Sequence, residues 1–292
     1  MTRLFAIATA VAIAGTAVAA DETYTIKLYK PKVGDSIKST RRGSTEGKVE
    51  FSIMGQKGEQ PIETSEVIEY TDEIVEMPKE GRRPTKQKRS YDKIDRKGGP
   101  AGNKKSALAG STVTIERDGE KFKYSIDGKD VTKEQQAELD ADFVNKKNEE
   151  KQDLLLPGKA VKVGDTWTID GKKAIEAMGE QKQMEVDAVK SKFTCTLKKV
   201  ESKDGKPFGT LEFQLELAVK KVALGPGQMV DADAGSTVTA TQTVVTCIDG
   251  SLPGAQITGE GKIEISAALP MNGSMKISAK SKEKNVEEAV KK

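Results

Sequence analysis

The chain contains no histidine. That removes a Ser-His-Asp triad, a Cys-His pair and every His-ligated metal site. Two cysteines, Cys195 and Cys247, cannot by themselves hold a structural zinc. Ser90-Tyr91-Asp92-Lys93 has a Ser-x-x-Lys spacing, but a chain this rich in Ser and Lys produces such matches by chance. Gly98 to Ser106 has the glycine density of a phosphate-binding loop, yet lacks the adjacent Gly-Lys pair and a strand–loop–helix setting. Asp231-Ala232-Asp233 with Gly235 could offer oxygens to calcium, but the later Glu of a calcium loop is missing and an acidic turn is the simpler reading. Forty-five acidic residues supply many carboxylate pairs for glycoside hydrolysis. Nothing singles out two of them, so a carboxylate-based hydrolase is a distant third reading. No cofactor and no metal site is expected.

What remains is architecture. From Lys190 to Lys282 the chain reads as five long antiparallel strands in a row. The clearest is Thr210 to Val222, where Leu211, Phe213, Leu215, Leu217 and Val219 fall on one face and Glu212, Gln214, Glu216 and Lys220 on the other. Period-two alternation this long is a strand signal, because successive side chains point to opposite faces. Phe193, Cys195 and Leu197 alternate in the strand before it, and Asp204-Gly205 fits the hairpin loop between them. Ser236 to Ile248 is Thr- and Val-rich, with an ambiguous facing that a β-bulge or burial of both faces would explain. Gln256 to Ala268 puts Ile257, Gly259, Gly261, Ile263, Ile265 and Ala267 inward. Glycines on an apolar strand face mark either a bend in a curved sheet or floor space for a ligand. Asn272-Gly273 closes the last hairpin, and Met275, Ile277 and Ala279 line the final strand. The charged tail beyond it reads as a frayed helix.

Upstream, Val49, Phe51 and Ile53 predict a short strand, and Glu63 to Met77 a long one bracketed by Pro61 and Pro78. Lys79 to Lys105 carries eleven Lys and Arg against three acids. It reads as a solvated loop around one strand near Tyr91 to Ile94, or as an anion-binding patch with Arg82, Arg83, Lys86, Lys88 and Arg89 as its candidates. A hairpin is expected over Thr112 to Gly128. Thr132 and Gln135 form a capping box for a helix over 132–147, and a second short helix is expected from Lys172 to Met178, ended by Gly179. Lys32-Val33-Gly34-Asp35 recurs as Lys162-Val163-Gly164-Asp165, either as a weak internal repeat dividing the chain near residue 157 or as a recurring turn. The organisation that follows is a β-rich part over 21–157 and a meander over 158–292, or one continuous domain over 21–292.

Residues 1–20 have the features of a secretory signal: Arg3, an apolar run from Leu4 to Gly15, and small residues at 17–20. The run is short for a membrane span, and no later stretch could serve as one. The chain is therefore expected to be exported, to the periplasm or beyond. A net charge of +3 over 292 residues argues against a nucleic-acid partner. An oxidising compartment permits a Cys195–Cys247 disulfide. In a simple meander these residues lie on next-but-one strands about 10 Å apart, beyond reach, so a bridge requires another topology and two buried thiols are the alternative.

The stretch Pro157-Gly158-Lys159-Ala160-Val161-Lys162-Val163-Gly164-Asp165-Thr166-Trp167 resembles a class of uncharacterised bacterial secreted β-rich proteins with a Val-Gly-Asp-Thr-Trp segment. These look like the open half-barrels of bacterial lipoprotein carriers. The resemblance implies a curved sheet that holds acyl chains and brings no catalytic residues.

The expected fold is thus mainly β: a long, curved antiparallel sheet, an open or half-closed barrel, with one or two short helices. Two functional readings stand. One is a non-enzymatic structural or interaction protein of the cell envelope, which requires a close-packed interior. The other is a binding protein holding a lipid or other apolar ligand on the concave face, with Leu211, Phe213, Leu215, Leu217, Ile257, Gly259, Gly261 and Ile263 facing it and the basic segment drawing an anionic group. That reading requires a cavity larger than core packing leaves.

Overall fold

The computed structural model describes residues 22–98, 105–119, 121–143, 149–179, 183–225 and 228–290. The expected signal segment lies outside them, as do Gly99 to Lys104 and the last residues of the helix expected to reach 147. In chain order the elements are β1 (Thr23–Tyr24), β2 (Ser36–Ile53), β3 (Gln56–Glu76), β4 (Lys86–Gly98), β5 (Thr112–Asp118), β6 (Lys121–Ile126) and β7 (Lys129–Asp130), then α1 (Lys133–Phe143) and a 3-10 helix (Glu149–Leu155). They continue with β8 (Val161–Lys162), β9 (Thr166–Thr168), α2 (Gly171–Met178), β10 (Met184–Lys203), β11 (Lys206–Gly225), β12 (Gln228–Asp231), β13 (Thr237–Cys247), β14 (Ala255–Leu269) and β15 (Gly273–Ala289).

Apart from the β1–β8 pair, the strands form one antiparallel sheet in the order β7-β6-β5-β4-β3-β2-β15-β14-β13-β11-β10-β9, with β12 on β11. It does not close into a barrel: β7 and β9 are its short edges, a length at which an exposed edge is least hazardous. The five strands expected between Lys190 and Lys282 are present and pair in sequence order. The β2–β15 ladder joins the two halves of the chain, from Ser52 opposite Ser274 to Ile37 opposite Ala289.

That ladder corrects two expectations. The charged tail is strand as far as Ala289, and Val290 donates its N–H to the Ser36 carbonyl at 2.8 Å. Pairing with a neighbour overrides the helical preference of the Lys/Glu composition. β2 is eighteen residues long rather than a short strand near Val49. A third correction concerns 79–105, where thirteen residues form β4, paired with β3 and β5.

The ambiguity of β13 also resolves. Its ladders with β11 and β14 are unbroken, so Val238, Ala240, Gln242 and Val244 share one face. The irregularity lies upstream. Ala232 bridges Ala267, and Asp233 and Ser236 both donate to the Ser266 carbonyl, while Ser236 N–H closes on the Asp233 carbonyl, so the Asp231–Gly235 stretch is the acidic turn that links β12 to β13.

Both helices lie on the same face. Leu139 and Phe143 of α1 pack on Ile68, Tyr91, Val113, Ile115 and Tyr124. Ala174 of α2 packs with Phe193, Cys195, Leu197 and Leu211. The capping box forms as expected: Gln135 N–H donates to Thr132 Oγ1 at 3.2 Å, and Gln135 Oε1 accepts from Thr132 N–H at 2.9 Å. Asp170 caps α2 by accepting from Lys172 and Lys173 N–H. A third cluster, with Val219, Ile265 and Met275, closes the far end of the sheet.

The two Lys-Val-Gly-Asp segments fold alike. In each, the Asp side chain accepts from the Lys N–H three residues back, at 2.6 Å for Asp35 and 2.8 Å for Asp165. Gly34 and Gly164 stand at φ 87° and 93°, a region that favours glycine. Each turn then clamps onto a strand, Gly34 to Ile74 and Gly164 to Leu197.

Candidate functional site

The sheet curls around one large trough of about 1560 Å³, lined by strands of both halves of the sheet, β15 between them, and by both helices. Close-packed interiors leave few voids larger than a water molecule. The cross-strand register shows how the trough is built. One row runs Leu211, Val244, Ile257, Asn285, Arg41; the next runs Phe213, Gln242, Gly259, Glu283, Gly43, Glu66; the third runs Leu215, Ala240, Gly261, Ser281, Thr45. The surface therefore divides along its length. β11, β13 and β14 contribute an apolar half, extended by Phe193, Leu155, Leu156 and Met178. β15 lays a polar strip down the middle, and β2, β3 and β4 contribute a charged half.

The eight apolar candidates share one face, in four rows. Six of them, Leu211, Phe213, Leu215, Ile257, Gly259 and Gly261, line the trough. Leu217 is buried in the cluster beneath α2, and Ile263 packs on the cluster at the far end. Phe213, Leu215 and Ile257 are only partly buried although apolar and inward-facing. Gly43, Gly259 and Gly261 keep the floor low.

The basic candidates do not gather into one patch. Lys86 and Lys88 alternate with Gln87 and Arg89 along β4, so they occupy opposite faces. Lys86 pairs with Glu116 at 2.8 Å and Lys88 is exposed. Arg82 pairs with Asp153 at 3.1 Å. Arg83 is buried, donates to the Phe143 carbonyl at 3.1 Å and lies over the Phe122 ring. Arg89 is 3 % exposed and makes a bidentate pair with Asp72, both bonds at 2.7 Å. Burial is the largest influence and opposes its charge, but Asp72 together with the neighbouring Tyr70 and Tyr91 holds the guanidinium pKa above its ordinary value.

Arg89 belongs to a lattice that the sequence did not disclose. Each of three arginines meets two carboxylates. Arg41 meets Glu66 and Asp142, Arg89 meets Asp72 and Asp142, and Arg96 meets Glu66 and Glu138. Asp142 and Glu138 stand one turn apart on α1, so the lattice fastens the helix to the sheet. The three arginines are thus matched by acids of β3 and α1. A polar sheet face carries no apolar period, so the sequence signals only the Val49–Ile53 end of β2 and nothing of this lattice.

The thiols of Cys195 and Cys247 are free and buried. Cys195 lies opposite Phe213 and Cys247 opposite Phe208, on the strands flanking β11. Phe213 and Phe208 face opposite sides of that strand, so the disulfide that the compartment would permit is not formed. No group of metal-ligating side chains occurs among the described residues. No helix among them is long and apolar enough to cross a membrane.

No family model matches the chain, and no curated protein matches it. Among solved structures it is similar to one described as "Lipid-protein interactions in lipovitellin", with a TM-score of 0.38 and 7 % identity. That match covers 86 % of this chain, which spans 25 % of the length of the other.

Proposed function

We propose that this is an exported binding protein that holds a long apolar ligand, such as a lipid acyl chain, in the trough of its curled sheet. The observation that carries the reading is the trough itself: about 1560 Å³, with Phe213, Leu215 and Ile257 left partly bare along one side. Ligand pockets for drug-sized molecules run to roughly 1,000 Å³, so this space suits a larger or longer guest. Covering such a wall with hydrocarbon returns about 25 cal/mol per Å² of apolar surface removed from water. A purely structural envelope protein would gain more by closing the sheet on itself. The glycine floor points the same way, because glycine in a strand interior costs stability that a guest's close approach would offset.

The test is native mass spectrometry of the protein purified gently from its own host, followed by organic extraction. A reproducible adduct that extracts as lipid, and is lost in a folded Leu215→Asp variant, is the expected result. A bare mass equal to that of the chain would count against the reading.

A further inference from the structure

The trough's polar strip indicates which end group its guest carries, an inference that rests on the proposed function. Glu283 stands on β15 in the middle of the trough floor, at the line where the charged half meets the apolar half. Its neighbours in register on both sides are glycines, Gly43 on β2 and Gly259 on β14. Gln242, one strand further on, donates from Nε2 to Glu283 Oε1 at 2.6 Å. This bond crosses a whole strand. It can do so because Gly259 lies beneath it, where a Cβ would come within 2.8 Å of that same oxygen. The amide therefore fixes one carboxylate oxygen, and the second has no donor among the described residues.

The inward-facing arginines of β2 and β4 do not compete for it. Arg41, Arg89 and Arg96 are each engaged with two carboxylates of Glu66, Asp72, Glu138 and Asp142. Among the described residues Glu283 forms no ion pair. A phosphate or carboxylate head at this place would meet arginines already matched to acids and would lie beside the charge of Glu283. An ammonium head would meet the carboxylate directly, with its chain lying on Phe213, Leu215 and Ile257. We infer that the guest is an amphiphile whose polar end is a cationic amine, bound by Glu283 at the boundary of the two halves. This replaces the anionic head expected from the basic segment.

The experiment compares three probes of one chain length, dodecylamine, dodecanol and dodecanoate, below their aggregation concentrations at pH 7.4. Each displaces a fluorescent apolar dye from the full chain and from a Glu283→Gln variant. The expected result is that the amine binds about tenfold tighter than the alcohol, the scale of one charge-assisted hydrogen bond, and that the carboxylate binds most weakly. In Glu283→Gln the preference for amine over alcohol should collapse to within about twofold. The net charge of +3 works against an amine, so the mean field of the whole chain favours the opposite order, and the Glu283→Gln variant isolates the part due to this carboxylate. Dodecanoate binding as tightly as the amine, or an amine preference that survives in Glu283→Gln, would overturn the inference while leaving the trough reading in place. Failure of all three probes to displace the dye would overturn both.

Discussion

Arg89 on β4 and Asp142 on α1 meet at 2.9 Å, with side chains only 3 % and 12 % exposed. The bond adds a polar tie between sheet and helix beside the apolar contact that Leu139 and Phe143 make with Ile68, Tyr91 and Val113. Tyr70 sandwiches the guanidinium from below, with its ring centroid 3.8 Å away, and the Phe143 ring lies at 4.6 Å.

Removing the arginine takes the bidentate partner from Asp72 and the 2.9 Å partner from Asp142, which keeps Arg41 at 3.5 Å, and both carboxylates are largely buried. Arg89→Met should therefore cost about 3–5 kcal/mol, the range for breaking one side of a buried pair. Asp142→Asn should cost less, because Arg89 keeps its bidentate bond to Asp72. Urea unfolding midpoints of the two variants decide the order.

Two glycines on the same face of the sheet should respond differently to alanine. At Gly47 a Cβ would run into the backbone of Ser278 and Ala279, which cannot yield. Gly47→Ala should cost about 1–3 kcal/mol. At Gly259 the nearest atom is Glu283 Oε1, the end of a flexible side chain. Gly259→Ala should stay within about 0.5 kcal/mol in stability and act instead on the Gln242–Glu283 bond. Thermal unfolding of both variants measures the difference.

Burial pushes the Cys195 thiol from 9.0 up to about 12. A thiol that ionises later in the fold than in the unfolded chain favours folding below pH 9. That contribution is lost as the pH rises from 9 toward 12. Stability should therefore decline through this alkaline window, and a Cys195→Ala variant should decline less steeply. A thiol reagent should react slowly with the native protein at pH 8 and should find both thiols once denaturant is added. Fast reaction of the native protein would contradict the burial.

The residues explain how much of this was legible beforehand. β11 and β14 announce themselves because Leu211 to Leu217 and Ile257 to Ile265 alternate with polar residues facing water. The helix caps at Thr132 and Asp170 are local signals and survive any tertiary arrangement. β2 was mostly invisible, since its inward face is Ser39, Arg41, Gly43, Thr45 and Gly47, which carries no apolar period. The arginines of β4 looked like a solvated run because charge is normally a surface property. Only the fold reveals that Asp72, Glu66, Glu138 and Asp142 arrive from β3 and α1 to neutralise them. The glycines of β14 admitted a bend or a ligand floor, and only the register with β2 and β15 shows what they flank.

The most direct test of the central claim is a chain-length series of linear alcohols from eight to fourteen carbons, displacing the same dye. A trough that takes up hydrocarbon should tighten about fourfold per added methylene, the value of about 0.8 kcal/mol for each buried CH₂. The gain should level off when the space is filled and should vanish in Leu215→Asp. Affinities that stay flat across the series, or that rise equally in Leu215→Asp, would contradict the claim that the trough holds an apolar chain.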